Sequence, residues 1–176
     1  MALLSPEKGW WNKSIAKDEK TWIVFATVVA LSLFTLMVGW HLIGKQNPSF
    51  LVYSTSPDEF YKLAHANWEK YKVGEEGGMP VVKPPADSDV FLVGTTWRWE
   101  PVLVLKKGAS YRFHISSLDL LHGFSIQPVN MNFKIHPGYD YVLTFKPTSS
   151  GDFRVICNEY CGPGHHTMIS KITVEE

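Results

Sequence analysis

The chain has 176 residues, enough for one domain, or one small domain with an appendage, but not for two full cores. Lysine plus arginine and aspartate plus glutamate balance at 17 each, for a formal net charge of zero. No global basic field points to nucleic acid, which is excluded as a partner on this ground, and no strongly acidic balance takes its place.

The first predicted element is Trp22 to Ile43, which carries no Asp, Glu, Lys or Arg. As a helix it would reach about 33 Å, the thickness of a bilayer core. Trp22 and Trp40 sit near its ends, where amphipathic rings favour the headgroup level, and Lys20 and Lys45 close it off. It lacks the polar stripe of a buried core helix, is too long for a signal peptide and is followed by no small-residue cleavage site. Lys8, Lys13, Lys17 and Lys20 precede the span, whereas Lys45 and Lys62 stand in a similar length after it. This bias predicts a cytoplasmic arm over residues 1–21, a single-pass membrane helix over 22–43 in contact with lipid, and an extracytoplasmic (periplasmic) remainder.

Residues 44–88 are expected to hold a helix and a linker. Ser56 as N-cap, Pro57 at the first helical position and Glu59 three residues after the cap form a capping-box pattern. Phe60, Leu63, Ala64, Asn67, Trp68 and Tyr71 follow at helical spacing and predict one packed face. Gly74 ends the helix, and "GEEGGMPVVKPPADS" is a Gly- and Pro-rich connector.

From Asp89 the period changes. Short runs rich in β-branched and aromatic residues are separated by Gly, Pro, Ser and Asn; Tyr111, Phe113 and Ile115, and Tyr141, Leu143 and Phe145, alternate with polar neighbours. Roughly seven or eight strands at this spacing predict an all-β head over residues 89–176, an antiparallel Greek-key β-sandwich.

The segment "VICNEYCGPGHHTM", residues 155–168, contains both cysteines, Cys157 and Cys161, with His165, His166 and Met168. A disulfide would leave His165 and Met168 without a role, and a structural zinc site would leave Met168 idle. A redox dithiol would sit on a thioredoxin-like αβ pattern, which the strand-rich head contradicts. Copper uses every residue: thiolate and thioether suit cuprous ion, and imidazole tolerates both oxidation states. Cys161, His165 and Met168 alone would make a mononuclear blue-copper loop, for which Cys157 is one thiolate too many. Two coppers sharing both sulfurs would need a second histidine. His122, His136 and His114 are the candidates; the strand alternation around His114 predicts a solvent-facing ring, and His166 projects away.

His122-Gly123-Phe124, 35 residues ahead of "CNEYCGPGHHTM", resembles the dinuclear copper (CuA) domain of subunit II of heme-copper cytochrome c oxidases. The match runs from about residue 89 to the end, and the single anchor resembles the B-type oxidases. The resemblance implies a cupredoxin-like fold in which Cys157 and Cys161 bridge two coppers and His122 and His165 each bind one. Met168 and the backbone carbonyl of Glu159 would be the axial donors. In many members of that family the carboxylate at the Glu159 position also reaches a magnesium ion at the boundary with subunit I, whereas several B-type relatives carry Gln there. In "GTTWRWEP", Trp97 matches the tryptophan at which electrons enter, with Trp99 beside it; the other reading is that both simply share a packed strand face.

The implied function is that of subunit II of a terminal cytochrome c oxidase. It would accept electrons from cytochrome c, or a similar redox donor, and pass them to the heme of subunit I, where oxygen is reduced. No residue of this chain is assigned a catalytic role. Two alternatives stay open: a membrane-tethered mononuclear blue-copper carrier, and the electron-input subunit of a CuA-type nitric oxide reductase.

Overall fold

A computed structural model describes residue 5 and residues 7–44, 50–129 and 131–176. Lys45, expected to close off the membrane span, lies outside the described residues, as do residues 1–4 and 6 of the N-terminal arm. The chain divides into two compact units, Met1–Gln46 and Asn47–Glu176.

The first unit is a short 3-10 turn, Trp10–Asn12, followed by helix α1, Lys17–Ile43. α1 begins a turn before the expected span because Lys17, Asp18, Glu19 and Lys20 are competent helix formers, with the two acids favourably placed in the first turn. Over its apolar length it is long enough to cross a bilayer. The hydroxyls of Thr21, Thr27, Ser32 and Thr35 donate to carbonyls four residues back, so the few polar side chains are satisfied within the helix.

The second unit is a sandwich of two sheets with one helix packed on it. Strands β1 (Phe50–Ser54), helix α2 (Pro57–Tyr71), β2 (Lys72–Glu76) and β3 (Met79–Val82) come first. There follow β4 (Asp89–Thr95), β5 (Arg98–Glu100), β6 (Val102–Lys106), β7 (Tyr111–Ser117) and β8 (His122–Gln127). The last four are β9 (Met131–Ile135), β10 (Tyr139–Phe145), β11 (Gly151–Cys157) and β12 (Ile169–Glu175). One sheet has the order β1-β10-β7-β4-β5 and the other β2-β3-β6-β12-β11-β8-β9.

Three features differ from the sequence expectation. The connector expected over residues 74–88 contributes β3 and most of β2, and β1 precedes α2, so the sandwich takes in residues well before Asp89. Gly74 in β2 and Pro80 in β3 hide these short strands from a pattern count, and β2, which pairs only with β3, tolerates its glycine at the sheet edge. The sheets are mixed rather than purely antiparallel: β4 runs parallel to β7, and β6 parallel to both β3 and β12. Finally, the continuous apolar text from Asp89 to Leu105 is broken into a β4–β5 hairpin in one sheet and β6 in the other.

α2 is capped as its sequence predicts, with Ser56 Oγ accepting from the Glu59 N–H at 3.2 Å, a contact of the kind that contributes about 1 kcal/mol. Its buried face is Phe60, Ala64 and Trp68; Leu63, expected on it, is exposed. The Trp68 indole N–H donates to the Phe91 carbonyl at 2.9 Å and Asn67 donates to the Asp89 carbonyl at 3.1 Å, which fixes α2 across β4. His114, expected to face solvent, is mostly covered instead. Its ring stacks on Phe91 at 4.6 Å, and Nδ1 lies 2.7 Å from Asp140 Oδ2, so a polar partner makes burial tolerable on a strand face that alternation alone assigns to water.

The core between the sheets includes Leu92, Trp99, Leu103, Tyr111, Phe113, Phe124, Ile126, Leu143 and Val155, all buried. The two cysteines, Met168 and His122 lie at the same end of this core and are equally buried.

Candidate metal centre

Three segments meet at that end: the Asp119 loop running into β8, the end of β11 with the loop Asn158–Gly164, and the 3-10 turn His165–Thr167 leading into β12. β11 pairs with β8, setting Cys157 opposite Phe124, and the Cys157 N–H donates to the Met168 carbonyl, which closes the loop. Gly123 allows the approach. A Cβ there would come within 2.1 Å of Asn158 Oδ1 and 2.7 Å of the Glu159 nitrogen.

The Sγ atoms of Cys157 and Cys161 are 3.7 Å apart and both cysteines are free thiols. His122 Nδ1 lies 3.9 Å from Cys157 Sγ, and His165 Nδ1 lies 3.6 Å from Cys161 Sγ. Met168 Sδ is 3.7 Å from Cys161 Sγ, and the Glu159 carbonyl oxygen is 3.2 Å from Cys157 Sγ. Each thiol therefore faces one imidazole nitrogen and one weaker donor, an arrangement symmetric about the sulfur pair. This is the donor chemistry of a soft, redox-active metal, and the residues fit copper. Burial, reinforced by the neighbouring Cys157 thiol, pushes the Cys161 thiol up to about 11. It holds its proton at neutral pH until a soft cation displaces it.

Of the expected site residues, Cys157, Glu159, Cys161, His165, Met168 and His122 converge, whereas His136 and His166 are exposed and His114 is engaged with Asp140. Trp97 and Trp99 do not share a face. Trp97 sits in the β4–β5 turn, 40% exposed, and its indole N–H donates to the Cys161 carbonyl at 3.3 Å. Its ring lies over Gly164, where a Cβ would come within 2.2 Å of it. Trp99 is fully buried, edge-on to His122 at 5.9 Å and Phe124 at 5.5 Å, out of reach of any docked protein.

Two residues that the sequence did not single out complete the site. Asp119 Oδ1 is 2.8 Å from His122 Nε2 and also accepts from the Leu120 N–H, while Oδ2 accepts from the Thr96 N–H at 2.7 Å. It thus ties the Trp97 turn to the His122 ring. Burial pushes the Asp119 carboxyl up, but hydrogen bonds from His122 and from the backbone of Thr96 and Leu120 outweigh it and hold it down at about 2. The second residue is Lys134 on β9, whose Nζ lies 3.1 Å from Glu159 Oε2. The one sequence signal for Asp119 was its place three residues ahead of His122; Lys134 had none.

The Glu159 carboxylate, the expected magnesium position, is paired with the Lys134 ammonium.

No protein-family model matches the chain. A cytochrome c oxidase subunit 2 from Thermus thermophilus is 32% identical over 93 residues, covering 52% of this chain and 69% of that protein. The chain belongs to the cytochrome c oxidase subunit 2 family. A second subunit 2 sequence, also from Thermus thermophilus, is 28% identical over 176 residues, covering 99% of this chain and 95% of the relative. The fold recurs in the cryo-EM structure of a heme-copper terminal oxidase dimer, with a TM-score of 0.60 and 24% identity, over 90% of this chain and 100% of that one. As a member of this family the chain is a subunit of a cytochrome c oxidase complex, with a two-sheet sandwich head and α1 as the one helix among the described residues able to cross a membrane.

Proposed function

We propose that this subunit 2 takes electrons from cytochrome c, or a similar small redox protein, at a dinuclear CuA centre and delivers them to the heme of subunit I in aerobic respiration. The observation that carries this reading is the pair of buried thiols 3.7 Å apart, each facing its own imidazole and its own weak donor. A single blue copper would use one thiolate and leave the other idle. When bound, the copper pair would supply a one-electron acceptor and donor whose ligand geometry need change little with oxidation state.

The chain's own residues prepare for this. Cys157 and Cys161 would hold both ions, His122 and His165 would give one nitrogen each, and Met168 and the Glu159 carbonyl would be the weaker donors. Asp119 accepts the Nε2 proton of His122, which leaves Nδ1 free to ligate and fixes the ring. Burial of Cys157, Cys161, Met168 and His122 keeps water from the centre. Trp97 joins the exposed surface to the Cys161 carbonyl and is the residue at which we place electron input; Trp99 instead buttresses His122. Magnesium has no part in this reading.

The lysine bias ahead of α1 supports a cytoplasmic N-terminus and a periplasmic head, and α1 as the one candidate span among the described residues supports a B-type-like oxidase. The test is copper content of the purified full-length chain. Two coppers per wild-type chain are expected. Saturation at one copper, with the spectrum of a blue protein, would favour the tethered carrier and overturn the reading.

A further inference from the structure

Lys134 makes the one ion pair found at the loop Asn158–Gly164 among the described residues, and its position is set by the sheet. Antiparallel pairing of β8 and β9 puts Lys134 opposite Gly123. Because Gly123 has no side chain, the loop comes down onto the strand: the Asn158 N–H donates to the Gly123 carbonyl, and a Cβ at Gly123 would lie 3.0 Å from Glu159 Cβ. Lys134 therefore reaches past Gly123 to the Glu159 carboxylate at 3.1 Å. The same residue's carbonyl points at Cys157 Sγ from 3.2 Å. One residue thus presents a donor to the centre through its backbone and is tethered to β9 through its side chain.

We propose that Lys134 takes the place of a divalent cation at Glu159, and that the Lys134–Glu159 pair positions the Glu159 carbonyl over Cys157. This rests on the copper reading above. Lys134 acts through Glu159 and touches no ligand sulfur or imidazole, so it is a positioning residue. The pair is exposed enough (63% and 36%) that it contributes little to folding. Its consequence is local. The ammonium cancels a carboxylate charge beside a buried redox centre, and without it the uncancelled negative charge would favour the oxidised, more positive state.

The assembled oxidase, with copper content and electron spin resonance recorded for each variant, provides the test. Lys134→Met is expected to retain the copper pair, shift its midpoint potential negative and alter its hyperfine pattern, with Lys134→Arg restoring both. Glu159→Gln is expected to shift the potential positive, and Lys134→Met with Glu159→Gln to return it close to wild type. Added Mn²⁺ as a spin probe is expected to find no site at Glu159 in the wild type and to bind there in Lys134→Met. An intact copper pair whose potential and spectrum ignore Lys134→Met would overturn the positioning role alone. A wild-type complex that holds Mn²⁺ and loses it in Glu159→Gln would overturn the replacement. Absence of a copper pair from the wild type would sink both this inference and the reading beneath it.

Discussion

At the scale of single residues, the site is governed by which atom of each side chain is left free. Asp119 occupies Nε2 of His122 and so commits Nδ1 to the sulfur side. Asp119→Asn keeps the shape but removes the charge and the fixed acceptor. We expect it to fold normally and to hold copper roughly 10–100-fold less tightly, read by competition with a chelator; unchanged affinity would remove Asp119 from the site. Away from the centre, the Arg112 guanidinium beside Asp89 holds that carboxyl below its ordinary range, with further help from His114. A depressed carboxyl contributes stability above its unfolded pKa and loses it as pH falls through the folded value. Thermal midpoints of Asp89→Asn and wild type should therefore lie apart near neutral pH and draw together below about pH 4; parallel curves would contradict this. The sulfur ligands, His165 and Met168 were legible in the sequence because they lie within twelve consecutive residues, and loop length alone brings them together. His122 needed a family resemblance. Asp119 and Lys134 depend on a loop closure and on a strand register, neither of which a linear pattern encodes.

At the scale of elements, the metal loop is held by close approaches that only glycine permits. A Cβ at Gly123 would meet the Glu159 backbone nitrogen at 2.7 Å, and backbone cannot swing aside as a flexible side-chain tip can. Gly123→Ala should leave the sheets formed, by circular dichroism, while most copper is lost. Gly74→Ala, where a Cβ meets nothing within 4 Å, serves as the control and should bind as wild type. Equal copper content in the two variants would show that the loop tolerates displacement. The strands of the head were visible as period-two alternation in the sequence, as in β7 and β10, although His114 and Val142, on the faces read as wet, are largely covered. β2 and β3 escaped notice because each is short and interrupted, by Gly74 and Pro80, and the parallel pairings because hydrophobic pattern records faces, not strand direction. α2 was legible from its cap, yet Leu63 was misplaced: one stripe of a helix this short packs on β4, and the contact is narrower than the apolar pattern.

At the scale of the whole molecule, a membrane helix and a copper-type sandwich share one chain, and each follows from a different reading of the same solvent rule. α1 carries no Asp, Glu, Lys or Arg from Trp22 to Ile43 and is long and apolar enough to cross a bilayer. The head hides its apolar residues between two sheets and places four polarizable or ionisable groups, Cys157, Cys161, His122 and Met168, at one buried end. Burial alone does not mark the cysteines and Met168, which sit readily in a core; the symmetry of the contacts about two sulfurs is what supports the proposed pair of ions. The most direct test is the electron spin resonance spectrum of the copper-loaded, full-length protein, alongside Cys157→Ser. Hyperfine splitting from two equivalent copper nuclei in the wild type, lost in Cys157→Ser, is predicted. A single-nucleus pattern that survives the substitution unchanged would contradict the account.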